Sequence, residues 1–249
     1  MSNNPPTTPQ RPPERSEGHR NIHEGRGQAG LLAPDAVLTR AAEQLARQFA
    51  GMVSGETVER VVFESYAALA RTAKVSTLLP SLAEKFARDR LTALAQSRGL
   101  IAKRVPEILF VCVQNSGRSQ MAAALTRHYA GDRVHVRSAG SQPGEALLPN
   151  VVTALREQGI DVSEEFPKPL TDDVIRAADA VVTMGCGDAC AIYPGRRYLD
   201  WHLADPADLS LDGVRALRDE VQLLVEDLVF DLAPTHVERG RPNSAVSTP

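Results

Sequence analysis

LFVCVQNSGRSQMAAAL, residues 109–125, decides how the rest of the chain is read. An apolar run ends on Cys112, a short polar stretch follows, and an alanine-rich helical pattern then begins. Read as strand, loop and helix, Cys112 closes the strand. Val113, Gln114, Asn115, Ser116 and Gly117 form the loop, and Arg118 with Ser119 opens the helix. Successive backbone N–H groups in such a loop converge into an anion cradle, strengthened by the positive end of the following helix dipole. Arg118 adds a planar fork of donors that fits a tetrahedral oxyanion. The same positive environment favours the thiolate of Cys112, and the Ser119 hydroxyl is placed to donate to its sulfur. A cysteine serving only as core filler needs none of this escort. One loop therefore offers both a nucleophile and an oxyanion clamp, with Val113 to Ser119 as the substrate-binding residues.

Working outward, the runs EILFVCV, VHVRSAG, DAVVTMG and RRYLDW alternate with helical stretches near 119–130, 148–159, 171–177 and 211–229. Such alternation predicts an α/β domain over 103–235, a four-stranded parallel sheet with helices on both faces. Upstream the period is helical throughout. Val37, Ala41, Leu45 and Phe49 recur at spacings of four. Val58, Val61, Val62, Tyr66 and Leu69 share a face, and Leu82, Phe86, Leu91 and Leu94 mark a third helix from about Pro80 to Ser97, with Gly99 as terminator. A small three-helix bundle is expected over 31–102. Residues 1–30 are nearly free of aliphatic side chains and are expected to be a disordered tail, as 236–249 are expected to be a flexible one.

The chain has 249 residues, 43% hydrophobic and 24% charged, with a formal net charge of -3. No basic field argues for nucleic acid or an anionic membrane surface. No apolar run reaches the roughly 20 residues of a spanning helix, and the N-terminal stretch lacks a hydrophobic segment, so a cytoplasmic protein is expected. The three cysteines, Cys112, Cys186 and Cys190, are too few and too odd in number for a structural disulfide framework. That leaves thiol chemistry or a metal. The Cys186 and Cys190 pair lacks a further cysteine or ligand-spaced histidine to complete a zinc set, so no metal is expected. The six histidines are scattered, and none reads as a ligand or base. Trp201 reads as a packing anchor.

VCVQNSGRS resembles the active-site loop of the low-molecular-weight tyrosine phosphatases and of the arsenate reductases built on that fold. The resemblance runs from 106 to about 230 and includes SAGSQPGEALLPNVVTALREQGIDVSEEFPKPLT, AADAVVTM and ADPAD. It implies that Asp205, before Pro206, approaches the loop and acts on protons; from the residues alone, Asp205 reads rather as a loop cap. TMGCGDACAIYPG places Cys186 and Cys190 after the third strand, at the end of the sheet where ligands bind. That stretch resembles the three-cysteine arsenate reductases, which implies arsenate as substrate, thioredoxin as external reductant and no bound cofactor. On a regular helix residues four apart hold their Cβ atoms roughly 5–6 Å apart, whereas a disulfide needs about 3.5–4.5 Å. The segment must therefore bend to join the pair, and Gly185 and Gly187 permit this. There are departures. Ala207 and Asp208 stand where tyrosine phosphatases carry aromatic residues, and Ala123 stands where some relatives use a glutamate to hold potassium. The N-terminal helices resemble those fused to actinobacterial arsenate reductases, and they read as a packing or oligomerisation accessory. A homodimer is left open. The competing readings are a tyrosine phosphatase of the same fold and an oxyanion-sensing binding module without turnover.

Overall fold

Proline and a carboxylate suit the first turn of a helix, and α1 (Pro34–Gln48) opens on Pro34 and Asp35. The computed structural model describes residues 34–72, 77–185 and 190–234. Helix α2 (Gly55–Ala70) is capped by Ser54, whose Oγ accepts from Thr57 N at 3.3 Å. Helix α3 (Leu79–Ser97) carries Pro80 in its first turn and ends just before Gly99, which takes the left-handed conformation (φ 72°) that stops helices. Leu38, Leu45, Phe49, Val58, Val62, Phe86 and Leu91 fill the space between the three helices. The stripe on α1 runs through Leu38, Ala41, Ala42 and Leu45 rather than starting at Val37. A strict spacing of four drifts off a face that repeats every 3.6 residues. Tyr66, likewise, is only partly buried against this core.

Downstream, β1 (Glu107–Cys112), β2 (His135–Gly140), β3 (Ala180–Met184) and β4 (Arg197–Asp200) form a four-stranded sheet of order β2-β1-β3-β4. Every pairing is parallel. β1 is buried along its whole length, so its near-continuous apolar sequence is what a central parallel strand requires. Its side chains alternate. Ile108, Phe110 and Cys112 face the layer of α4 (Arg118–Ala130), α5 (Pro149–Arg156) and α7 (Leu211–Leu232). Leu109 and Val111 face the opposite layer, where α6 (Asp172–Ala177) packs with Ala93 of α3.

The bundle thus lends one helix to the α/β layers. Arg90 of α3 donates to Asp173 at the start of α6 (Nε to Oδ2, 3.0 Å), with side chains only 12% and 11% exposed. Phe166, from the segment before α6, packs in return against the core of the bundle. The tails expected at 1–30 and 236–249 lie outside the described residues, as do Cys186 and Gly187.

Candidate active site

β1 delivers Cys112 to the carboxyl end of the central strand, between Gly140 and Met184 of its neighbours. The loop that follows is turned inside out by the segment after β2. Cys112, Val113, Gln114 and Ser116 each offer a carbonyl to an N–H of Ser141, Gln142, Gly144 and Leu148, at 3.2, 2.8, 2.8 and 2.9 Å. In a trans peptide the N–H points opposite to the C=O. The N–H groups of Val113, Gln114, Asn115 and Gly117 therefore turn away from that segment and toward the concave side. This close approach needs glycine at 140, where a Cβ would lie 2.7 Å from Val113 O and 2.9 Å from Asn115 N.

Among the described residues, Asn115 is the non-glycine residue at positive φ (50°), a conformation asparagine tolerates better than most. Its side chain holds the loop from three sides. Oδ1 accepts from Lys168 N at 2.8 Å and from Gln120 Nε2 at 3.0 Å. Facing two donors, that atom must be the oxygen. Nδ2 then donates to Ser119 Oγ at 2.8 Å. With Cys112 as thiolate, the Ser119 hydroxyl hydrogen points to Sγ across 2.9 Å, and Asn115 N–H donates to the same sulfur at 3.2 Å. Two donors on one sulfur stabilise its negative charge.

Above the sulfur lies a small cavity of about 20 Å³ lined by Cys112, Gln114, Gly117, Arg118, Asp205 and Pro206. It adjoins an open cleft of about 810 Å³ bordered by Arg118, Gly185, Asp200, Trp201 and His202. Arg118 Nη2 donates to Asp205 Oδ2 at 2.8 Å, and Nη1 reaches Leu203 O at 3.5 Å. Asp205 Oδ1 meanwhile accepts from Ala207 N at 3.0 Å, capping a single 3-10 turn, Pro206–Asp208. Asp205 is thus both a turn cap and a neighbour of the loop arginine. Trp201, 7% exposed, stacks at a tilt on Phe110 with ring centroids 5.6 Å apart. Its side chain anchors β4 to β1 while also bordering the cleft.

The structure therefore brings Cys112, Val113 to Gly117, Arg118, Ser119 and Asp205 into one place. Cys190 sits elsewhere, half-buried with Leu170, Tyr193 and Tyr198 on the α6 side of the sheet, opposite to the Cys112 side. Cys186 lies outside the described residues. The sequence reading missed Gln120, wholly buried in α4, and Lys168, whose backbone pins Asn115 from 53 positions away. A glutamine inside an alanine-rich apolar helix was the available signal for the first. Among the described residues, no cluster of three or more His, Cys, Asp or Glu side chains is placed to hold a metal ion.

Residues 107–239 match the low molecular weight phosphotyrosine protein phosphatase family. The chain belongs to this family. Residues 38–95 match a second one, described as the N-terminal domain of protein-tyrosine-phosphatase-like proteins. Relatives within the phosphatase-fold family include the arsenate reductase of Halalkalibacterium halodurans, 38% identical over 138 residues that make up 54% of this chain and 96% of that one. Arsenate reductase 1 of Staphylococcus epidermidis is 34% identical over 123 residues, 48% of this chain and 92% of its own. A solved structure, the thioredoxin-dependent arsenate reductase of Corynebacterium glutamicum, is 49% identical with a TM-score of 0.73 and covers 80% of this chain and 98% of that one. That share is larger than residues 107–239 alone supply.

Proposed function

We propose that this member of the phosphatase-fold family reduces arsenate to arsenite, with thioredoxin as the external reductant. The observation that carries the reading is the Cys112 sulfur, held by Ser119 Oγ and Asn115 N–H beneath a cavity rimmed by Arg118 and Asp205. The likeness to the thioredoxin-dependent reductase of Corynebacterium glutamicum supports it.

Arsenate enters the cradle and takes the place of the Asp205 carboxylate on Arg118, whose fork matches a tetrahedral oxyanion. The Cys112 thiolate attacks arsenic; Asp205, released from Arg118, takes one proton from the bound dihydrogen arsenate and passes it to the arsenate hydroxyl that leaves as water. The thiolate of Cys186 then attacks Cys112 Sγ. A sulfur–sulfur bond forms, the electron pair of the sulfur–arsenic bond stays on arsenic, and arsenite departs. Cys190 attacks Cys186 in turn, returning Cys112 as thiolate and leaving a Cys186–Cys190 disulfide. Thioredoxin reduces that disulfide by thiol exchange. We read the protein as cytoplasmic, where thiols are kept reduced. Among the described residues no helix is long and apolar enough to cross a membrane.

The test is arsenate-dependent consumption of NADPH in the presence of thioredoxin and its reductase. Consumption that needs arsenate, thioredoxin and this protein together supports the proposal. Hydrolysis of an aryl phosphate without such consumption makes the protein a phosphatase; neither activity makes it a sensing module.

A further inference from the structure

The Lys168 side chain takes no part in the chemistry above, yet it is only 10% exposed. It lies between Pro167 and Pro169, neither of which has a backbone N–H to give. Its ammonium folds back along its own segment. Nζ pairs with Glu165 Oε2 at 2.8 Å, donates to Phe166 O at 3.1 Å and lies 4.6 Å from the centre of the Phe166 ring. Glu165 is held in turn by Arg127 of α4 at 3.0 Å. The other charges lining this pocket are Lys85 and Asp89 of α3 and Arg137 of β2, with Lys85 paired to Glu164 at 3.5 Å and Arg137 paired to Glu107. Burial pushes the Lys168 ammonium below the ordinary lysine value, while the Glu165 carboxylate pulls the other way. A cation in such a place is costly unless its bonds are made.

Those bonds lead to the sulfur. Phe166 O also accepts from Gln120 Nε2 at 2.9 Å, and the same nitrogen donates to Asn115 Oδ1 at 3.0 Å. Two acceptors on one nitrogen fix which way the Gln120 amide faces, although its Oε1 is then buried without a protein partner. An orientation that leaves an acceptor unpaired holds only while both of its own acceptors stay in place. Gly140 N fixes Lys168 by its carbonyl at 2.8 Å, whereas Phe166 O is held by two side chains, Lys168 Nζ and Gln120 Nε2. Lys168 Nζ thus keeps Phe166 O against Gln120. Gln120 and Lys168 N together hold Asn115 Oδ1, and Asn115 Nδ2 donates to Ser119 Oγ at 2.8 Å. The Ser119 hydroxyl hydrogen is left to point at Cys112 Sγ, 2.9 Å away.

We propose that Lys168 is a positioning residue for the reaction: its ammonium, locked to Glu165, holds Phe166 O and, through Gln120 and Asn115, keeps the Ser119 hydroxyl donating to the Cys112 thiolate. This deepens the reductase reading, which gives that thiolate its task, but the test needs no arsenate, so the two can fail separately. Iodoacetamide alkylation of Cys112 in the full chain, read by peptide mass spectrometry apart from Cys186 and Cys190, follows the thiolate. In Lys168→Met, Glu165 keeps Arg127 as partner, and the fold is expected to survive, which circular dichroism checks. Its alkylation rate is expected to fall about tenfold at pH 7, the scale of one hydrogen bond to a charged group. At about pH 10, above the ordinary thiol value of about 8.5, the rate is expected to match that of the parent chain. Gln120→Met breaks the same route nearer the sulfur and is expected to give the same split, with no further loss in the double variant. Arg90→Ala, which destabilises the chain away from this route, is expected to leave both rates unchanged. An unchanged rate at pH 7 in Lys168→Met, an equal loss at both pH values, or additive losses in the double variant overturns the proposal. Should Lys168→Met not fold, Gln120→Met carries the test, and an unchanged rate there at pH 7 overturns the proposal as well.

Discussion

Asn115 joins the shape of the catalytic loop to the chemistry of its sulfur. Its Oδ1 satisfies the buried donors Lys168 N and Gln120 Nε2, while its Nδ2 and its own N–H set the hydrogen bonds that reach Cys112. Asn115→Ala orphans both donors, at about 1–3 kcal/mol each, and places a less tolerant residue at positive φ. Chemical denaturation is expected to show a loss of roughly 2–6 kcal/mol, and turnover is expected to fall as well. Asp205→Asn keeps the cap on Ala207 but removes the proton donor, so the reductase rate is expected to drop about a hundredfold or more with the melting temperature nearly unchanged. A near-normal rate would make Asp205 purely structural. Phosphate and sulfate are expected to inhibit competitively, because the cradle reads a charged tetrahedron rather than its central atom. Inhibition constants measured against arsenate check this. Cys112, Arg118 and Ser119 were legible in the sequence because the loop is local. The brace from Lys168 was not, since nothing local in FPKP says which loop its backbone will meet.

At the scale of elements, the site depends on a 3-10 turn pressing on a helix start. Pro206 packs so closely on Gly117 that a Cβ there would lie 2.5 Å from Pro206 Cγ. That contact sets where Asp205 meets Arg118. Gly117→Ala is expected to push the turn away and lower the rate much as Asp205→Asn does. The two effects should not add, since neighbours acting through one contact are coupled. Kinetics of the double variant check this, and full additivity would mean the turn acts by another route. β1 and β3 were legible because a buried parallel strand reads as an apolar run bounded by polar turns, whereas the more polar β2 and the partly exposed β4 were legible only from their alternation with helical stretches. Less legible was the second surface of α3. Its large residues mark the face toward the bundle, whereas the face toward α6 is made of Ala93 and a paired Arg90, which periodicity does not single out.

For the whole molecule, α3 makes the bundle part of the packing of the sheet. Arg90→Ala leaves Asp173 nearly buried and unpaired, which is expected to cost about 3 kcal/mol. For a chain of this size that lowers the melting temperature by roughly 6–12 °C, measurable by calorimetry. Removal of residues 1–103 uncovers Val174, Ala177 and Ala93's place in the α6 layer. The truncated domain is expected to melt lower than the full chain yet keep reductase activity per folded molecule, since the described residues around Cys112 all come from beyond 103. An inactive but folded domain would give the bundle a part in the reaction. The proposed relay spans the sheet from side to side, because Cys112 faces the α4 layer and Cys190 sits in the α6 layer. Cys186 must carry the oxidation between them, and Cys190→Ser isolates that step. With thioredoxin and excess arsenate, this variant is expected to release about one arsenite per chain and stop with Cys112 bonded to Cys186, a bond that peptide mapping identifies. Sustained turnover by Cys190→Ser with thioredoxin would contradict the three-cysteine relay.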